Sequence, residues 1–519
     1  MKTRKISKVY ATLANWRKFQ FRLFGEGIVV GACSGLIIVG FRYALEVAES
    51  LRSAAYSRLS AGDWLPVGLW FLLLFFIAFI LHRIVAIEPM SAGSGIPQVK
   101  GTILGVMRMH WLKILVGKFV GGVLAIGAGL SLGREGPSVQ LGAVIGQGLS
   151  RLSGRTRMEE RYLITSGASA GLAAAFNAPL AGVIFSLEEL HKNFSSAVLL
   201  PAIAAALTAD VISQYFFGPS PVFQFVGLPI LPARYYLLVI LLGLIVGAAA
   251  VPFNRGLVFA LDFLDRQTWA TGMGKAALAL FTAGVLGFFL PDILGGGNEL
   301  VNKLAVAPMS LSLLLLLLIA KFMFTMLSYG SGVPGGIFLP LLVVGALTGA
   351  ICGDSYIQFG LLDAAYRTNI IILAMAAYFS AVVKSPVTGS ILIMEMTASF
   401  NHMLPLIIVS ITAYLVADLA KTGPIYEDLL ARSLNRQGRF VAATPAEKRQ
   451  VIELPVCMGS KLDGKFIRDI EWPPDCLLVS IRRGDHDLVP KGDARMMVGD
   501  YLFVLTPSEH LETLRRLAE

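Results

Sequence analysis

Residues 127–141 read Gly-Ala-Gly-Leu-Ser-Leu-Gly-Arg-Glu-Gly-Pro-Ser-Val-Gln-Leu, a charged pair inside an otherwise apolar, glycine-rich stretch. Charge at membrane depth is costly, so Arg134 and Glu135 need compensation there. Gly133, Gly136 and Pro137 indicate its form. Glycine admits torsions that other residues avoid, and proline fits the first turn of a new helix. A helix that begins inside a membrane points unpaired N–H groups into a cavity, and such a cavity is an anion site.

The surrounding composition makes that membrane setting necessary. Of 519 residues, 55% are hydrophobic and only 15% are charged, where soluble domains carry about 25%. Uncharged runs occupy 65–81, 235–253, 276–290, 369–383 and 403–417, several of them near the roughly 20 residues that span a bilayer. Most are broken by Gly or Pro. The expected fold is an all-α polytopic membrane protein with interrupted, closely packed helices. The net charge is +10, and Lys2, Arg4, Lys5, Lys8, Arg17, Lys18 and Arg22 open the chain. Basic flanks of this kind place the N-terminus in the cytoplasm. No soluble basic domain accompanies them, which excludes a nucleic-acid partner. The first apolar run begins near Gly27, contains Arg42 and lacks a cleavage site of signal-peptide type, so it is read as retained. Cys33, Cys352, Cys457 and Cys476 have no metal-ligand spacing. The six histidines form no motif, so no metal and no cofactor are expected. His191 and His402, near ends of apolar runs, are expected at the membrane interface.

An internal repeat organises the membrane part. Residues 176–190 and 383–397 align at one offset, matching Pro179 with Pro386, Gly182 with Gly389 and Glu188 with Glu395. Earlier Gly/Pro clusters, Gly133–Pro137 and Gly332–Pro340, follow the same order. Duplicated halves with helices interrupted in matching places signal a transporter fold with its site at mid-membrane. The relative orientation of the halves stays open at this level. The expected domains are a basic N-terminus over 1–22, a transmembrane domain over 23–435, a linker over 436–450 and a soluble module over 451–519. In that last segment 21 of 69 residues are charged. Short strands are expected at 477–481 and 501–505 beside the turn signals Gly484-Asp485 and Gly499-Asp500. An amphipathic helix is expected at 508–518, making a small α/β domain.

Three glycine-rich loops could converge on one site: Gly93-Ser94-Gly95-Ile96-Pro97, Gly133-Arg134-Glu135-Gly136-Pro137 and Gly335-Gly336-Ile337-Phe338-Leu339-Pro340. Taken singly, each is a close-packing point. Together they offer backbone N–H groups and the Ser94 hydroxyl, neutral donors that hold a halide without trapping it.

This set of motifs resembles the CLC family of chloride channels and chloride/proton exchangers over roughly 20–435. Asn177-Ala178-Pro179-Leu180-Ala181-Gly182 and Gly423-Pro424-Ile425-Tyr426 add to the likeness. The resemblance implies a two-half inverted repeat and a homodimer in which each protomer carries its own pathway. It implies an anion-binding set of Ser94, Gly136, Ile337, Phe338 and Tyr426, with Glu135 as gate. Deprotonated, the Glu135 carboxylate is a tethered anion that occupies an ion position; protonated, it swings away. Lys118 matches a buried family lysine beside the path, giving a positive field together with Arg134; from the residues alone an interfacial, snorkelling lysine is equally open. Glu188-Glu189 bears on exchanger against channel. The expected internal proton relay is Glu189 with Glu188 beside it: family exchangers carry an acid at Glu189 that relays protons from the cytoplasm. The repeat pairs Glu188 with Glu395 but Glu189 with Met396, so the second acid is peculiar to the first half. Gln98-Val99-Lys100 departs from the family, many members of which have an acid directly after the first proline. Ser94 and Tyr426 argue against the fluoride-exporting branch.

The tail resembles a TrkA-C domain through Gly459–Lys465, Ile481–Gly484, Pro490–Asp493 and Val498–Asp500. That implies cytoplasmic regulation by a small ligand. Arg482 and Arg483 are open as anion ligands or as plain strand charges. The function expected is chloride/proton antiport across the cell (inner) membrane, with chloride, protons and the lipid bilayer as partners and both termini cytoplasmic. A gated CLC-type chloride channel is the first rival, and a ligand sensor on a vestigial membrane part the second. No nucleophile–base pair or metal cluster suggests an enzyme.

Overall fold

The computed structural model describes residues 16–518 except 60–63, 193–195, 224, 226–227, 268–271, 437–448, 485 and 508–509. The first basic residues and most of the expected linker therefore lie outside the described residues. The chain forms two compact units, Met1–Leu430 and Ala431–Glu519.

The first unit is helical, and its helices fall into two sets of eight. The first set is α1 (Trp16–Arg58), α2 (Trp64–Ile87), α3 (Ile96–Ile103), α4 (Trp111–Gly127), α5 (Glu135–Leu152), α6 (Arg157–Phe176), α7 (Pro179–Phe185) and α8 (Ser196–Phe217). The second is α9 (Tyr236–Arg266), α10 (Gly272–Phe289), α11 (Asn298–Val306), α12 (Leu311–Gly330), α13 (Phe338–Gln358), α14 (Arg367–Val383), α15 (Pro386–Met396) and α16 (Met403–Leu419). α17 (Ile425–Arg436) follows without a counterpart. Among the described residues nine helices are long and apolar enough to cross a membrane. α1 already includes Trp16–Arg22, so helix begins inside the segment expected as a separate N-terminus.

The duplication reaches individual torsions. Short turns at Pro89–Ser91 and Pro291–Ile293 precede α3 and α11. The caps of those two helices, Gly95 and Gly297, have φ of 94° and 93°, values that L side chains rarely adopt. α6 and α14 end in left-handed Asn177 and Lys384. The two halves also complete each other. α7 and α15 each start at a proline and lack an acid in their first turn. Glu395, at the end of α15, accepts from Leu180 N–H (3.1 Å) and Ala181 N–H (2.7 Å) at the start of α7. Glu188, just past α7, accepts from Val387 N–H (3.3 Å) and Thr388 N–H (2.7 Å) at the start of α15. Two carboxylates thus cap each other's helix N-termini. The exchange requires α7 and α15 to run antiparallel, as a two-fold axis in the membrane plane demands.

Small residues set the closest crossing. A Cβ on Gly142 would strike the Gly167 carbonyl, and one on Gly167 the Gly142 carbonyl, so α5 and α6 meet backbone to backbone. The charge inside the first span is explained as well. Arg42 donates to Ala174 O (2.8 Å), Ser213 Oγ (2.7 Å) and Asn177 Oδ1 (3.1 Å), closing the C-terminal end of α6. His402 is buried, not interfacial as expected: Asn369 Nδ2 lies 2.7 Å from its Nε2, and Ser399 lies against its Nδ1.

The second unit holds an antiparallel sheet in the order β1 (Arg449–Pro455), β4 (Tyr501–Pro507), β2 (Leu477–Arg483), β3 (His486–Leu488), followed by α18 (Leu511–Ala518). Alternation buries Leu502, Val504 and Thr506 of β4 against Leu454, Ile481 and Leu514. Asp500, 1% exposed, accepts from both Arg483 Nε and Nη2 at 2.8 Å and from Met497 N–H at 2.8 Å. Arg483 is therefore a structural partner, and Arg482 lies over the Phe503 ring at 4.9 Å.

Candidate functional site

The three glycine loops meet. Gly133 N–H donates to Gly336 O (2.7 Å) and Gly336 N–H donates back to Gly133 O (2.8 Å). Gly93 N–H reaches Val333 O (3.1 Å), and Gly335 N–H reaches Gly93 O (2.9 Å). These ties bring the N-termini of α3, α5 and α13 together. Glycine is needed for the approach: a Cβ on Gly136 would run into Ser94, and one on Gly133 into the Glu135 carboxylate and Leu339 N.

Glu135 is the first residue of α5 and is fully buried. Its carboxylate faces the N–H groups of Glu135 itself and of Leu339, yet neither oxygen completes a hydrogen bond. Ser94 Oγ and Tyr426 OH, also buried, have no partner among the described residues either. Ile337 caps α13 and Phe338 begins it; Phe338 packs its ring against Phe379 (4.7 Å), Phe176 (5.6 Å) and Phe185 (6.4 Å). The titratable groups that face the Tyr426 hydroxyl are Tyr329, Glu189 and Glu135. The arrangement is a cage of hydroxyl and amide donors with no protein acceptor for Ser94 or Tyr426, and with a carboxylate at one helix N-terminus. Unpaired buried hydroxyls cost free energy, so such a cage fits a small anion.

Lys118 is buried rather than snorkelling, and donates to Ser91 O (2.8 Å) and Gly93 O (2.7 Å). It braces the loop that carries Ser94. Sequence reading missed its twin: buried Lys321 donates to Ile293 O and Gly295 O, each at 2.9 Å. Arg134 caps α5 and lines a cavity of about 630 Å³ with Leu339, Glu46, Glu49 and Arg52, the opening beside Glu135.

Glu188 and Glu189 part company. Glu188 is engaged as the cap of α15, with Thr388 Oγ1 adding a bond at 2.6 Å. Glu189 turns inward and is 2% exposed. It accepts from Lys100 Nζ at 2.8 Å and from Ser385 Oγ at 3.2 Å. A π-helical turn, Ser186–His191, sends the adjacent acids to different partners. Lys100 is shared: it also reaches Glu427 at 3.1 Å, and Glu427 pairs with Lys192. Neither Lys100 nor Glu427 was expected at the site. The available signals were a lysine within the short apolar α3 and an acid directly after Tyr426.

Comparison with known proteins agrees with this geometry. The family described as Voltage gated chloride channel matches residues 73–418, and the TrkA-C domain matches 451–519. The chain is 34% identical over 429 residues to the H(+)/Cl(-) exchange transporter ClcA of Citrobacter koseri, covering 80% of this chain and 89% of that protein. It is 32% identical over 462 residues to the ClcA of Yersinia pseudotuberculosis, covering 87% and 96%. Its fold matches that of a slow cyanobacterial Cl-/H+ antiporter with a TM-score of 0.76 and 30% identity, over 80% of this chain and 99% of that one. A CLC-type fluoride/proton antiporter, 24% identical with a TM-score of 0.65, shares the fold.

Proposed function

Because this chain belongs to the voltage-gated chloride channel family, we propose that it is a chloride/proton antiporter, a multi-pass membrane protein that couples chloride movement to opposite proton movement. The observation that carries this reading is the cage itself: the buried hydroxyls of Ser94 and Tyr426, without a partner among the described residues, with Ser94 against Gly136 at the helix N-terminus that carries the Glu135 carboxylate. An anion there is held by Ser94, Tyr426 and the N–H groups of Gly136, Ile337 and Phe338. Dipoles and neutral donors replace its water without a full positive charge to trap it.

Glu135 competes for that position. Ionised, its carboxylate occupies the helix N-terminus and closes the route; protonated, it loses the attraction and yields the place to chloride. One side chain thereby exchanges a proton for an anion. On the inner side Glu189 passes protons, and the shared lysine makes this feasible. When Glu189 accepts a proton, Lys100 still has Glu427 at 3.1 Å, so no buried cation is stranded. Glu188 serves as the neighbouring cap that fixes the turn. Lys118 and Arg134 supply positive field on the path.

The protein works as a homodimer in the cell membrane with both termini in the cytoplasm. Arg22 and Arg155, paired with Glu159 and Glu26, lie on one face, and the basic residues that open the chain support a cytoplasmic side there. The second unit binds a small cytoplasmic ligand and regulates transport.

The test is reconstitution in liposomes with chloride and pH recorded together. A chloride gradient should drive protons uphill, and Glu135→Gln should abolish proton movement while chloride flux persists. A reversal potential that follows chloride alone would make the protein a channel; proton pumping retained in Glu135→Gln would remove the gate assignment.

A further inference from the structure

A second anion site lies away from the transport cage. We infer that the pocket lined by Arg108, Arg151, Arg157, Arg161, Gln147 and Thr102, with a volume of about 310 Å³, binds a phosphate group. Four guanidiniums surround one concavity, and the acid within it, Glu160, pairs with Arg151 at 3.0 Å. Among the described residues no carboxylate pairs with Arg108, Arg157 or Arg161. Like charges that converge without counter-charge repel, and the arrangement needs an anion.

Helix ends do not supply it. α3 and α5 finish at this pocket, and their C-terminal carbonyls compensate for Arg108 and Arg151. Arg157 and Arg161 sit at the opposite kind of end. Arg157 is the first residue of α6 and Arg161 lies one turn on, where the macrodipole is positive and cations are disfavoured. The acid of that turn, Glu159, is taken up by its capping box with Thr156 and by Arg22. A positive helix end with two arginines on it is complete only with an anion bound. Gln147, 1% exposed, lines the pocket, and because its amide oxygen has no partner among the described residues, the amide is free to turn an N–H donor toward an anion.

The chemistry selects phosphate over chloride. Planar guanidinium forks match the paired oxygens of a phosphate, whereas a single halide ion cannot offer two acceptor atoms to a fork. The pocket lies on the face where α1 begins, as the Arg22–Glu159 pair shows, and exposed Leu104, Leu152 and Met158 flank it. A soluble phosphate and a phospholipid headgroup would both present the same group there. The proposal does not depend on the antiport reading, since none of these residues touches the cage.

The experiment uses full-length protein in two arms. In lipid-stripped detergent solution at fixed ionic strength, inorganic pyrophosphate is titrated by calorimetry. In parallel, protein from vesicles of phosphatidylcholine with phosphatidylglycerol is examined by native mass spectrometry for retained lipid. Each is compared with Arg157→Gln/Arg161→Gln. Removing a charge-assisted hydrogen bond should weaken binding about tenfold or more. Pyrophosphate binding lost in the variant identifies a soluble phosphate; phosphatidylglycerol retained by the parent and lost by the variant identifies a headgroup. Either result supports the site, and chloride flux without added phosphate should be unchanged in the variant. Should the double variant fail to fold, Arg161→Lys, which keeps the charge but drops the fork, carries the same comparison. The proposal is overturned if neither probe distinguishes parent from variant.

Discussion

The two buried lysines offer a sharp test of which half holds the ion. Lys118→Met removes an ammonium that donates to Ser91 O and Gly93 O. The two acceptors do not suffer equally. Gly93 O keeps the Gly335 N–H at 2.9 Å, so Ser91 O alone loses its partner among the described residues. A buried group left unpaired costs about 1–3 kcal/mol, and relief from desolvating an ammonium offsets part of that. Lys321→Met leaves both Ile293 O and Gly295 O without the bonds they receive from Lys321. With the same offset, it should be the less stable variant by one more unpaired carbonyl, about 1–3 kcal/mol. Anion binding should rank the other way. Gly93 is the neighbour of Ser94, so Lys118→Met loosens a cage donor, and losing one hydrogen bond to a charged ligand, about 1.5 kcal/mol, weakens affinity roughly tenfold. Thermal unfolding in detergent at fixed chloride reads the first ranking, and calorimetric titration with chloride the second. If Lys118→Met proved the less stable of the pair, or Lys321→Met lost more chloride affinity, the assignment of one lysine to the cage and the other to scaffold would fail.

Glu189→Gln should stop proton movement in liposomes and leave chloride flux; intact coupling would pass the relay to another group. Glu395→Gln keeps an acceptor for one N–H, sets an amide NH2 against the other, and loses charge assistance at both. It should lower unfolding stability by about 1–3 kcal/mol with the chloride/proton ratio unchanged, and an altered ratio would place Glu395 on the proton route. Burial alone would raise the Asp500 carboxyl, but the Arg483 fork and the Met497 N–H prevail and hold it below its ordinary 3.8. Its contribution is thus full above about pH 4 and is lost as pH falls through the lower folded value. Hydrogen exchange over β4 in the full chain should show that loss of protection on acidification, and Asp500→Asn should show it already at neutral pH, by about 2 kcal/mol given the partly exposed arginine.

Local chemistry that announces itself by residue type was readable from the chain. Gly-Pro clusters marked interrupted helices because few other residues fit there, and the long apolar runs gave the spans. The pairing of Glu188 with Glu395 was visible as an alignment, but its meaning was not. Nothing in the sequence says that each carboxylate caps the other half's helix, because that requires knowing that α7 and α15 run antiparallel. His402 was misplaced for a similar reason. The end of an apolar run is an interface only if the helix ends at the bilayer surface, and here the turn at 400–402 folds back onto Asn369. The Lys100–Glu189 pair was out of reach because it joins residues 89 apart in sequence. In the tail, short apolar runs beside Gly-Asp turns indicated strands at 477–481 and 501–505, which run on to Arg483 and Pro507, while the three-residue strand at 486–488 is too short to show a period.

The duplication supplies a rule for separating scaffold from chemistry. Where the halves carry the same residue, it braces the frame: Lys118 and Lys321 hold equivalent loops, of which only the first carries Ser94, Gly95 and Gly297 make equivalent caps, and Glu188 and Glu395 exchange N-terminal caps. An isolated helix as short as α7 or α15 is marginal, and each borrows its cap from the twin, so neither half can drift without loosening the other. The residues assigned to transport are those where the halves differ. Glu135 begins α5 where Phe338 begins α13. Ser94 stands one residue before the cap of α3, where the second half has Gly296. Glu189 corresponds to Met396, and Tyr426 lies on α17, which has no twin. A symmetric frame fixes helix N-termini at mid-membrane on both sides. In the proposed mechanism, four departures from that symmetry, Glu135, Ser94, Glu189 and Tyr426, turn one meeting point into a cage that an acid can fill.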